Sequence, residues 1–298
     1  MAPDARLARS LDGVRAFVLD ADGVLMWRSE PIAGSAEALR ELRRRGIPYR
    51  VVTNFSTSHR STLAAWFGKA TALDVDSSEI ISGASAAAAY TAARHPGARL
   101  LVLAAPDALR EWEGQHVVSA VQAASGHQPV AAVVIGDAGE DLSFHNLDIA
   151  YGQIHAGAEF VAIHRNLWWM TPKGHTLDSG ALIVGLEAAL GRRAVVCGKP
   201  SPVVFRQAVA ELDAELRSRG ASRLVRREVA MVGDDPIADI AAARRVGLRG
   251  ILVLTGKVEP GRATTHGAAA DAVAGSLSEV VTSLPRDDRQ GRRGPNPG

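Results

Sequence analysis

The stretch FVLDADGVL, residues 17–25, decides the fold of this chain. It overlaps the apolar run Ala16–Leu19, which is typical of a buried strand, and two aspartates follow this run directly. Because ligands of open α/β sheets bind beyond the carboxyl ends of the strands, these carboxylates lie where chemistry usually occurs. Asp20 could attack phosphorus or bind a cation, and Asp22 could donate and remove protons. An acidic turn after a strand would contain the same residues, so this motif alone leaves both interpretations open.

Short runs rich in Val, Ile and Leu alternate along the chain with helical patterns. Buried strands are predicted at Ala16–Leu19, Arg50–Val52, Leu100–Leu103, Ala131–Ile135, Phe160–Ile163, Ala194–Val196, Val229–Val232 and Gly250–Val253. Helices are predicted at Ser35–Arg45, Ser179–Leu190, Ser201–Glu211 and Asp235–Val246. This alternation favours an α/β fold with a doubly wound, Rossmann-like parallel sheet.

The middle of the chain carries strands of its own, whereas the residues on either side carry the polar motifs. We therefore predict a discontinuous core, residues 1–82 and 177–285, interrupted by an inserted α/β cap domain, residues 83–176. Residues 286–298 are polar and rich in Pro, Gly and Arg, and this composition predicts a disordered tail.

Two further polar motifs follow predicted strands. Thr53 and Asn54 come directly after the strand Arg50–Val52, and a hydroxyl with an amide can hold an anion without adding charge. Lys199 lies just before a predicted helix, so its ammonium and the free N–H groups of the helix N-terminus together suit a phosphate. These residue types are common in loops, so neither motif decides a function by itself.

A fourth motif, Gly233-Asp234-Asp235-Pro236, follows the strand Val229–Val232, and Asp239 lies five residues after Asp234. Carboxylates gathered at strand ends repel one another unless a cation lies between them. Hard oxygen ligands with few imidazoles favour Mg²⁺ over zinc or copper. An acidic first turn that stabilises a helix dipole would explain Asp235, but it explains Asp234 poorly.

Taken together, the four motifs are more informative than any one of them. Four strand ends of one parallel sheet would present two acids, a hydroxyl with an amide, a lysine and further acids, in that order. Transfer of a phosphoryl group through an aspartyl-phosphate requires such a set.

In this order, the stretches FVLDADGVL, VVTNFST, VCGKPSP and MVGDDPIADI resemble the four motifs of the haloacid dehalogenase superfamily of phosphotransferases. The long insertion between the second and third motifs is similar to that of the NagD-like branch, subfamily IIA, in which an α/β cap follows the second motif. Residues 142–169, 177–191 and 247–257 look most like the phospholysine phosphohistidine inorganic pyrophosphate phosphatase group and its bacterial relatives.

The resemblance implies a role for each acidic residue of the motifs. Asp20 would be the nucleophile, and Asp22 the general acid for the leaving group and then the base toward water. Mg²⁺ would be held by Asp20, by the backbone carbonyl of Asp22 and by Asp234. Asp235 and Asp239 would support the metal site from nearby.

The resemblance also implies that Thr53, Asn54 and Lys199 hold the phosphoryl oxygens.

The expected function is therefore a Mg²⁺-dependent phosphatase of small phosphorylated metabolites. A phosphomutase of the same superfamily would need no different motif. A receiver-like module that accepts phosphate without turnover is the second alternative, and Asp22 and the long insertion count against it. Phosphosugars, nucleoside monophosphates, phosphoglycolate, pyridoxal phosphate and nitrogen–phosphorus compounds all stay open as substrates.

The segment after the strand Phe160–Ile163 is the candidate for substrate specificity. Arg165 could meet an anionic group, and Trp168 or Trp169 could stack on a ring. The alternative is that the tryptophans lie in the core or at a subunit interface, and the resemblance implies a homodimer through the cap. Surface or hydrogen-bonded roles are expected for three histidines of the cap: His145, His155 and His164.

The composition excludes several classes of protein. With 34 basic and 32 acidic residues, the net charge is only +2 over 298 residues, and the arginines form no patch outside the tail, so no nucleic-acid partner is predicted. No run approaches the roughly 18 apolar residues of a membrane span, so no membrane partner is predicted either. The single Cys197 excludes a disulfide framework and predicts a small buried apolar residue in a cytoplasmic protein.

Overall fold

A computed structural model describes residues 5–27, 30–72, 75–126, 128–171, 174–257 and 270–285. The strands are β1 Ala16–Asp20, β2 Met26–Trp27, β3 Glu30–Pro31, β4 Tyr49–Thr53, β5 Ile80–Ser82, β6 Arg99–Leu103, β7 His116–Val118, β8 Ala132–Ile135, β9 Glu159–Ala162, β10 Trp168–Thr171, β11 Gly174–Leu177, β12 Val195–Val196, β13 Val229–Gly233, β14 Arg249–Val253 and β15 Ala272–Ala274. The α-helices are α1 Ala5–Leu11, α2 Ser35–Arg44, α3 Arg60–Thr71, α4 Gly83–Arg94, α5 Ala120–Ser125, α6 Phe144–His155, α7 Ser179–Leu190, α8 Pro202–Ser218, α9 Ala242–Arg245 and α10 Leu277–Thr282. The predicted tail, residues 286–298, lies outside the described residues.

The first sheet is parallel and has six strands in the order β15-β14-β13-β1-β4-β5. Its central strand β1 pairs with β13 on one side and with β4 on the other, with Leu19 opposite Val232 and Asp20 opposite Val52. Because parallel strands all end at one edge, the carboxyl ends of β1, β4 and β13 lie side by side. The motifs that follow these three strands are brought together there.

Both faces of this sheet are buried, as the doubly wound prediction requires. Val18 packs in the same apolar cluster as Phe205 of α8, whereas its neighbours Phe17 and Leu19 pack in the cluster that contains Leu39 of α2. Successive side chains of a strand point to opposite faces, so burial on both sides explains the unbroken apolar run. The predicted α/β fold class is confirmed.

A second parallel sheet has five strands in the order β12-β9-β8-β6-β7. The strand β12 pairs with β9 of this sheet, with Val195 opposite Val161 and Val196 opposite Ala162. The prediction that the strand before Lys199 belongs to the first sheet is therefore wrong. The helix before it, α7, also packs on this sheet, since Ile183 and Phe160 share one apolar cluster. The second sheet therefore extends past the expected cap boundary at residue 176, and the four motifs do not all follow strands of one sheet.

The two sheets share apolar packing. Val134 of β8 and Val161 of β9 belong to the same buried cluster as Val18 of β1 and Phe205 of α8. None of the described helices combines the length and the apolar character needed to cross a bilayer. Cys197 is buried and makes no disulfide, as predicted.

The predicted helix Asp235–Val246 is interrupted in the structure. Residues Pro236–Ala241 form a π-helical turn, and a regular α-helix begins only at Ala242. Asp235 caps the turn, since its carboxylate accepts the N–H groups of Ile237 and Ala238 at 2.9 and 2.8 Å. Local π turns are frequent at functional sites because they reorient single side chains.

Candidate active site

A buried ion-pair cluster lies at the carboxyl end of β1. The Lys199 ammonium is 2.6 Å from Oδ1 of Asp20 and 2.7 Å from Oδ1 of Asp239. All three side chains are buried. Asp20 comes from the end of β1, Asp239 from the π-helical turn, and Lys199 from the segment after β12 of the second sheet. Both sheets therefore contribute charged groups to one site.

The electrostatics of this cluster follow from its burial. Desolvation raises the pKa of Asp20, against the opposing effect of Lys199, and it raises the pKa of Asp239 to about 7 with a further contribution from Asp20. Burial alone would lower the pKa of Lys199, but the two carboxylates raise it. The ammonium therefore stays charged at neutral pH, and the crowded carboxyl groups need a nearby positive charge to keep their ionised form.

The third acid of the cluster is Asp234, which is fully buried at the end of β13. Its Oδ2 accepts the backbone N–H of Lys257 at 2.8 Å, whereas its Oδ1 has no hydrogen-bond partner among the described residues. Carboxylate oxygens of Asp20, Asp234 and Asp239 lie within 4.8 Å of one another. Buried polar atoms are rarely left unpaired, and hard oxygen ligands suit a divalent cation. The residues present therefore fit a Mg²⁺ ion.

A tight loop places Asp22 at the mouth of the site. Gly23 has φ 76° and donates its N–H to the carbonyl of Met26 at 2.6 Å. A Cβ at Gly23 would lie 2.3 Å from Oδ2 of Asp234, so only glycine lets the loop approach β13. Asp22 itself is exposed, yet partial desolvation by its surroundings raises its pKa, against the effect of Lys199 and Lys257. A carboxyl group that solvent reaches and whose pKa is raised can exchange protons with a substrate.

The second motif contacts the third through its asparagine. Oδ1 of Asn54 accepts the backbone N–H of Lys199 at 2.7 Å, and Nδ2 of Asn54 donates to the Lys199 carbonyl at 2.9 Å. Thr53 is buried at the end of β4, and its hydroxyl oxygen accepts the N–H of Phe55 at 3.2 Å. The Asn54 amide thus holds the backbone that carries the lysine. Direct binding of phosphoryl oxygens by Thr53 and Asn54 stays a prediction.

Two residues of the site escaped the sequence analysis, and both lie in the loop after β14. The Thr255 hydroxyl donates to the carbonyl of Gly23, and the Lys257 ammonium lies 2.9 Å from Oδ2 of Asp235. Asp235 is therefore paired with Lys257 at the rim of the cluster. The sequence does contain a signal for these two residues, because Thr255-Gly256-Lys257 follows an apolar run just as the other polar motifs do.

The candidate specificity residues lie between β9 and β11. The Arg165 guanidinium forms two hydrogen bonds, of 3.0 and 2.7 Å, with the buried carboxylate of Glu187 on α7. The same carboxylate accepts a hydrogen bond from Nη1 of Arg193 at 2.9 Å, so one negative charge is shared by two guanidinium groups, and contact of Arg165 with an anionic substrate stays a prediction. Trp168 and Trp169 are each 54% exposed on the hairpin strand β10, so the interpretation that they lie in the core is wrong.

The chain is similar to known haloacid dehalogenase-like proteins. A haloacid dehalogenase-like hydrolase family model matches residues 17–118, and a HAD-hydrolase-like model matches residues 196–280. The phospholysine phosphohistidine inorganic pyrophosphate phosphatase of Bos taurus is 32% identical over 281 residues, which cover 92% of this chain and 95% of that protein.

Two solved structures share the whole architecture. The p-nitrophenyl phosphatase from Archaeoglobus fulgidus has a TM-score of 0.78 and 26% sequence identity, covering 91% of this chain and 99% of its own. NagD from E. coli K-12 has a TM-score of 0.73 and 26% sequence identity, covering 89% of this chain and 98% of its own.

Proposed function

The chain belongs to the NagD-like branch of the haloacid dehalogenase-like phosphatases, and we propose that it hydrolyses small phosphorylated metabolites through an aspartyl-phosphate, with Mg²⁺ as cofactor. One observation carries the proposal: the buried carboxylate of Asp20 lies 2.6 Å from the Lys199 ammonium and has a carboxylate oxygen of Asp234 within 4.8 Å. A nucleophile needs an ionised oxygen, and the lysine favours that form of Asp20.

In the first step, a carboxylate oxygen of Asp20 forms a bond to phosphorus while the bond from phosphorus to the leaving oxygen breaks. Asp22 gives its proton to that oxygen, so the product leaves as a neutral hydroxyl compound. Asp20, the Asp22 carbonyl and Asp234 would hold Mg²⁺, and the bound ion would neutralise charge on the phosphoryl oxygens. Lys199 supplies a fixed positive charge 2.6 Å from Oδ1 of Asp20.

In the second step, water attacks the aspartyl-phosphate and Asp22 accepts a proton from it. The bond between phosphorus and the Asp20 oxygen breaks, so inorganic phosphate leaves and the Asp20 carboxylate is restored. Asp22 therefore acts as an acid in the first step and as a base in the second. The exposed position and raised pKa of Asp22 support this double role.

The test is continuous phosphate release from para-nitrophenyl phosphate. We expect sustained turnover with Mg²⁺ and loss of turnover with excess EDTA, restored when Mg²⁺ is added back. A single stoichiometric labelling of the protein without turnover would instead support a receiver-like module. With phosphosugar substrates, intramolecular transfer that exceeds phosphate release would support a phosphomutase. A panel of phosphorylated metabolites in the same assay then identifies the substrate class.

The Asp234→Asn variant tests the metal site. We expect the Mg²⁺ concentration for half-maximal activity to rise at least about tenfold, because a neutral amide replaces a charged ligand. The asparagine oxygen can still accept the Lys257 N–H, so the variant should fold. Asp148→Asn on the exposed face of α6 is the matched control, with an unchanged Mg²⁺ titration. An unchanged titration in Asp234→Asn would remove Asp234 from the ligand set.

The homodimer through the cap and the cytoplasmic location stay predictions. The dimer is supported by the exposure of large apolar side chains on and beside the hairpin β10–β11: Leu167, Trp168, Trp169 and Leu177. Apolar patches of this kind on a protein surface are typical of interaction sites.

A further inference from the structure

A buried polar cluster joins the two sheets beside the active site. His164 follows β9 of the second sheet and is 1% exposed. Its Nε2 lies 3.1 Å from the Ser56 hydroxyl and 3.1 Å from Oδ2 of Asp137, and the Ser56 hydroxyl donates to Asp137. Ser56 follows β4 of the first sheet, whereas Asp137 follows β8 of the second. One histidine therefore spans the junction between the sheets.

The hydrogen bonds of the ring define its role. Nδ1 accepts the backbone N–H of Asn166 at 3.3 Å, which places the proton of the neutral imidazole on Nε2. Nε2 is then a donor toward Ser56 and Asp137 and cannot remove the Ser56 proton. A serine nucleophile is excluded for this reason and because Ser56 is buried. These hydrogen bonds tie residues of both sheets to one another.

A second carboxylate closes the cluster. Oδ1 of Asp178, at the start of α7, lies 3.7 Å from Nε2 of His164 and accepts the N–H of Ser179 at 2.7 Å. Burial, with the nearby Asp137, raises the pKa of Asp178 to about 6. Burying polar and charged side chains costs free energy unless each one is hydrogen-bonded, whereas apolar side chains could fill the same space without that cost. Hydrogen bonds are directional, however, and they fix the positions of the side chains that they join.

The residues that this cluster holds in place are connected to Lys199. Ser56 lies two residues after Asn54, whose amide holds the Lys199 backbone through two hydrogen bonds. Gly198 donates its N–H to the carbonyl of Ile163, the residue before His164, at 2.8 Å. A Cβ at Gly198 would lie 2.7 Å from Oδ1 of Asn54 and 2.8 Å from that carbonyl. The segments around His164, Ser56 and Lys199 thus form one close-packed junction.

We propose that His164 is a positioning residue for phosphoryl transfer: its bonds to Ser56 and Asp137 hold the loop that orients Asn54, and through Asn54 the Lys199 ammonium beside Asp20. This inference rests on the proposed function. Small displacements of a charged group from the reacting atoms lower the rate far more than they lower substrate binding.

Two substitutions of the histidine separate positioning from simple packing. In His164→Asn the shorter side chain can accept the Asn166 N–H but does not reach Ser56 and Asp137. In His164→Gln the amide reaches them as a donor. With para-nitrophenyl phosphate and Mg²⁺, we expect kcat to fall about 10- to 100-fold in His164→Asn, with KM changed less than about threefold. His164→Gln should recover kcat to within about fivefold of the wild type.

Orthovanadate, which mimics the transferring phosphoryl group, provides a second readout. Its inhibition constant should weaken in His164→Asn by about the same factor as kcat, because transition-state mimics report the lost stabilisation. His145→Asn on α6 is the matched control, since His145 is exposed on the same domain, and it should leave kcat and vanadate inhibition unchanged.

Ser56→Ala removes the same contact from the other partner, and it keeps the inference testable if His164→Asn fails to fold. It should lower kcat in the same direction, and Ser56→Ala/His164→Asn should be no slower than the slower of the two single variants, because both residues act through one contact. If the wild type turns over and the His164→Asn or Ser56→Ala variant shows normal kcat and normal vanadate inhibition, the inference is wrong and the proposed function still stands. A wild type without any turnover would overturn the proposed function, and the inference with it.

Discussion

Asp20→Asn is expected to abolish turnover, with kcat lower by at least about 10⁴-fold and the fold intact. An amide oxygen is a very weak nucleophile toward phosphorus, so no aspartyl-phosphate forms. The fold should persist because the asparagine oxygen can still accept the Ala21 N–H, a bond of 2.7 Å in the structure. The change removes the ion pair with Lys199, but the ammonium keeps Asp239 at 2.7 Å, and repulsion from Asp234 and Asp239 is relieved.

The measurement is kcat with para-nitrophenyl phosphate at saturating Mg²⁺, together with the midpoint of thermal unfolding. Asp148→Asn, an exposed change of the same chemistry, should keep both values at those of the wild type. If Asp20→Asn retained near-normal activity, the covalent mechanism would be wrong.

Lys199→Met is expected to have the second largest effect, on activity and stability together. Its ammonium is the buried partner of both Asp20 and Asp239, at 2.6 and 2.7 Å. Removing it leaves two carboxylates without their counter-charge, and breaking a buried ion pair in this way costs about 3–5 kcal/mol. The loss of a fixed positive charge beside the reacting oxygen should lower kcat/KM by about 10³-fold.

Urea unfolding in EDTA measures the stability effect without a contribution from bound metal. Lys257→Met is the matched control, because its side chain is 54% exposed and pairs with Asp235 at the rim of the site. An exposed pair contributes less than about 1 kcal/mol, so this control should unfold close to the wild type. Equal losses of stability in the two variants would contradict the proposed importance of the buried cluster.

Much of the core and its site could be predicted because local pattern and strand order carry the information. An apolar run followed by Asp20 predicts both a strand and the chemistry at its end, and the same rule places Thr53 and Asp234. In a parallel sheet these ends must meet at one edge. The apolar run before Lys199 likewise predicts a strand at Val195–Val196, but not its partner strand, and the partner is β9 of the second sheet.

Long-range polar contacts account for what the sequence could not reveal. Arg165 pairs with Glu187, 22 residues away, and His164 meets Asp137 and Ser56 across two sheets. No spacing rule connects such positions, because each lies in a different element. The orientation of Asn54 toward the Lys199 backbone has the same origin, since residue type predicts a polar group but not its direction.

The apolar cluster that unites Val18 of the first sheet with Val134 and Val161 of the second has a consequence for how the chain comes apart. On the sides where the two sheets face each other, their buried apolar residues belong to this one cluster. Heat or denaturant that separates the sheets exposes apolar surface on both, so we expect the inserted segment and the two segments that flank it to lose their structure together. Although the chain leaves the first sheet and returns to it, we expect one unfolding transition, and we expect the inserted segment, cut out alone, to expose the apolar residues of this cluster and to aggregate.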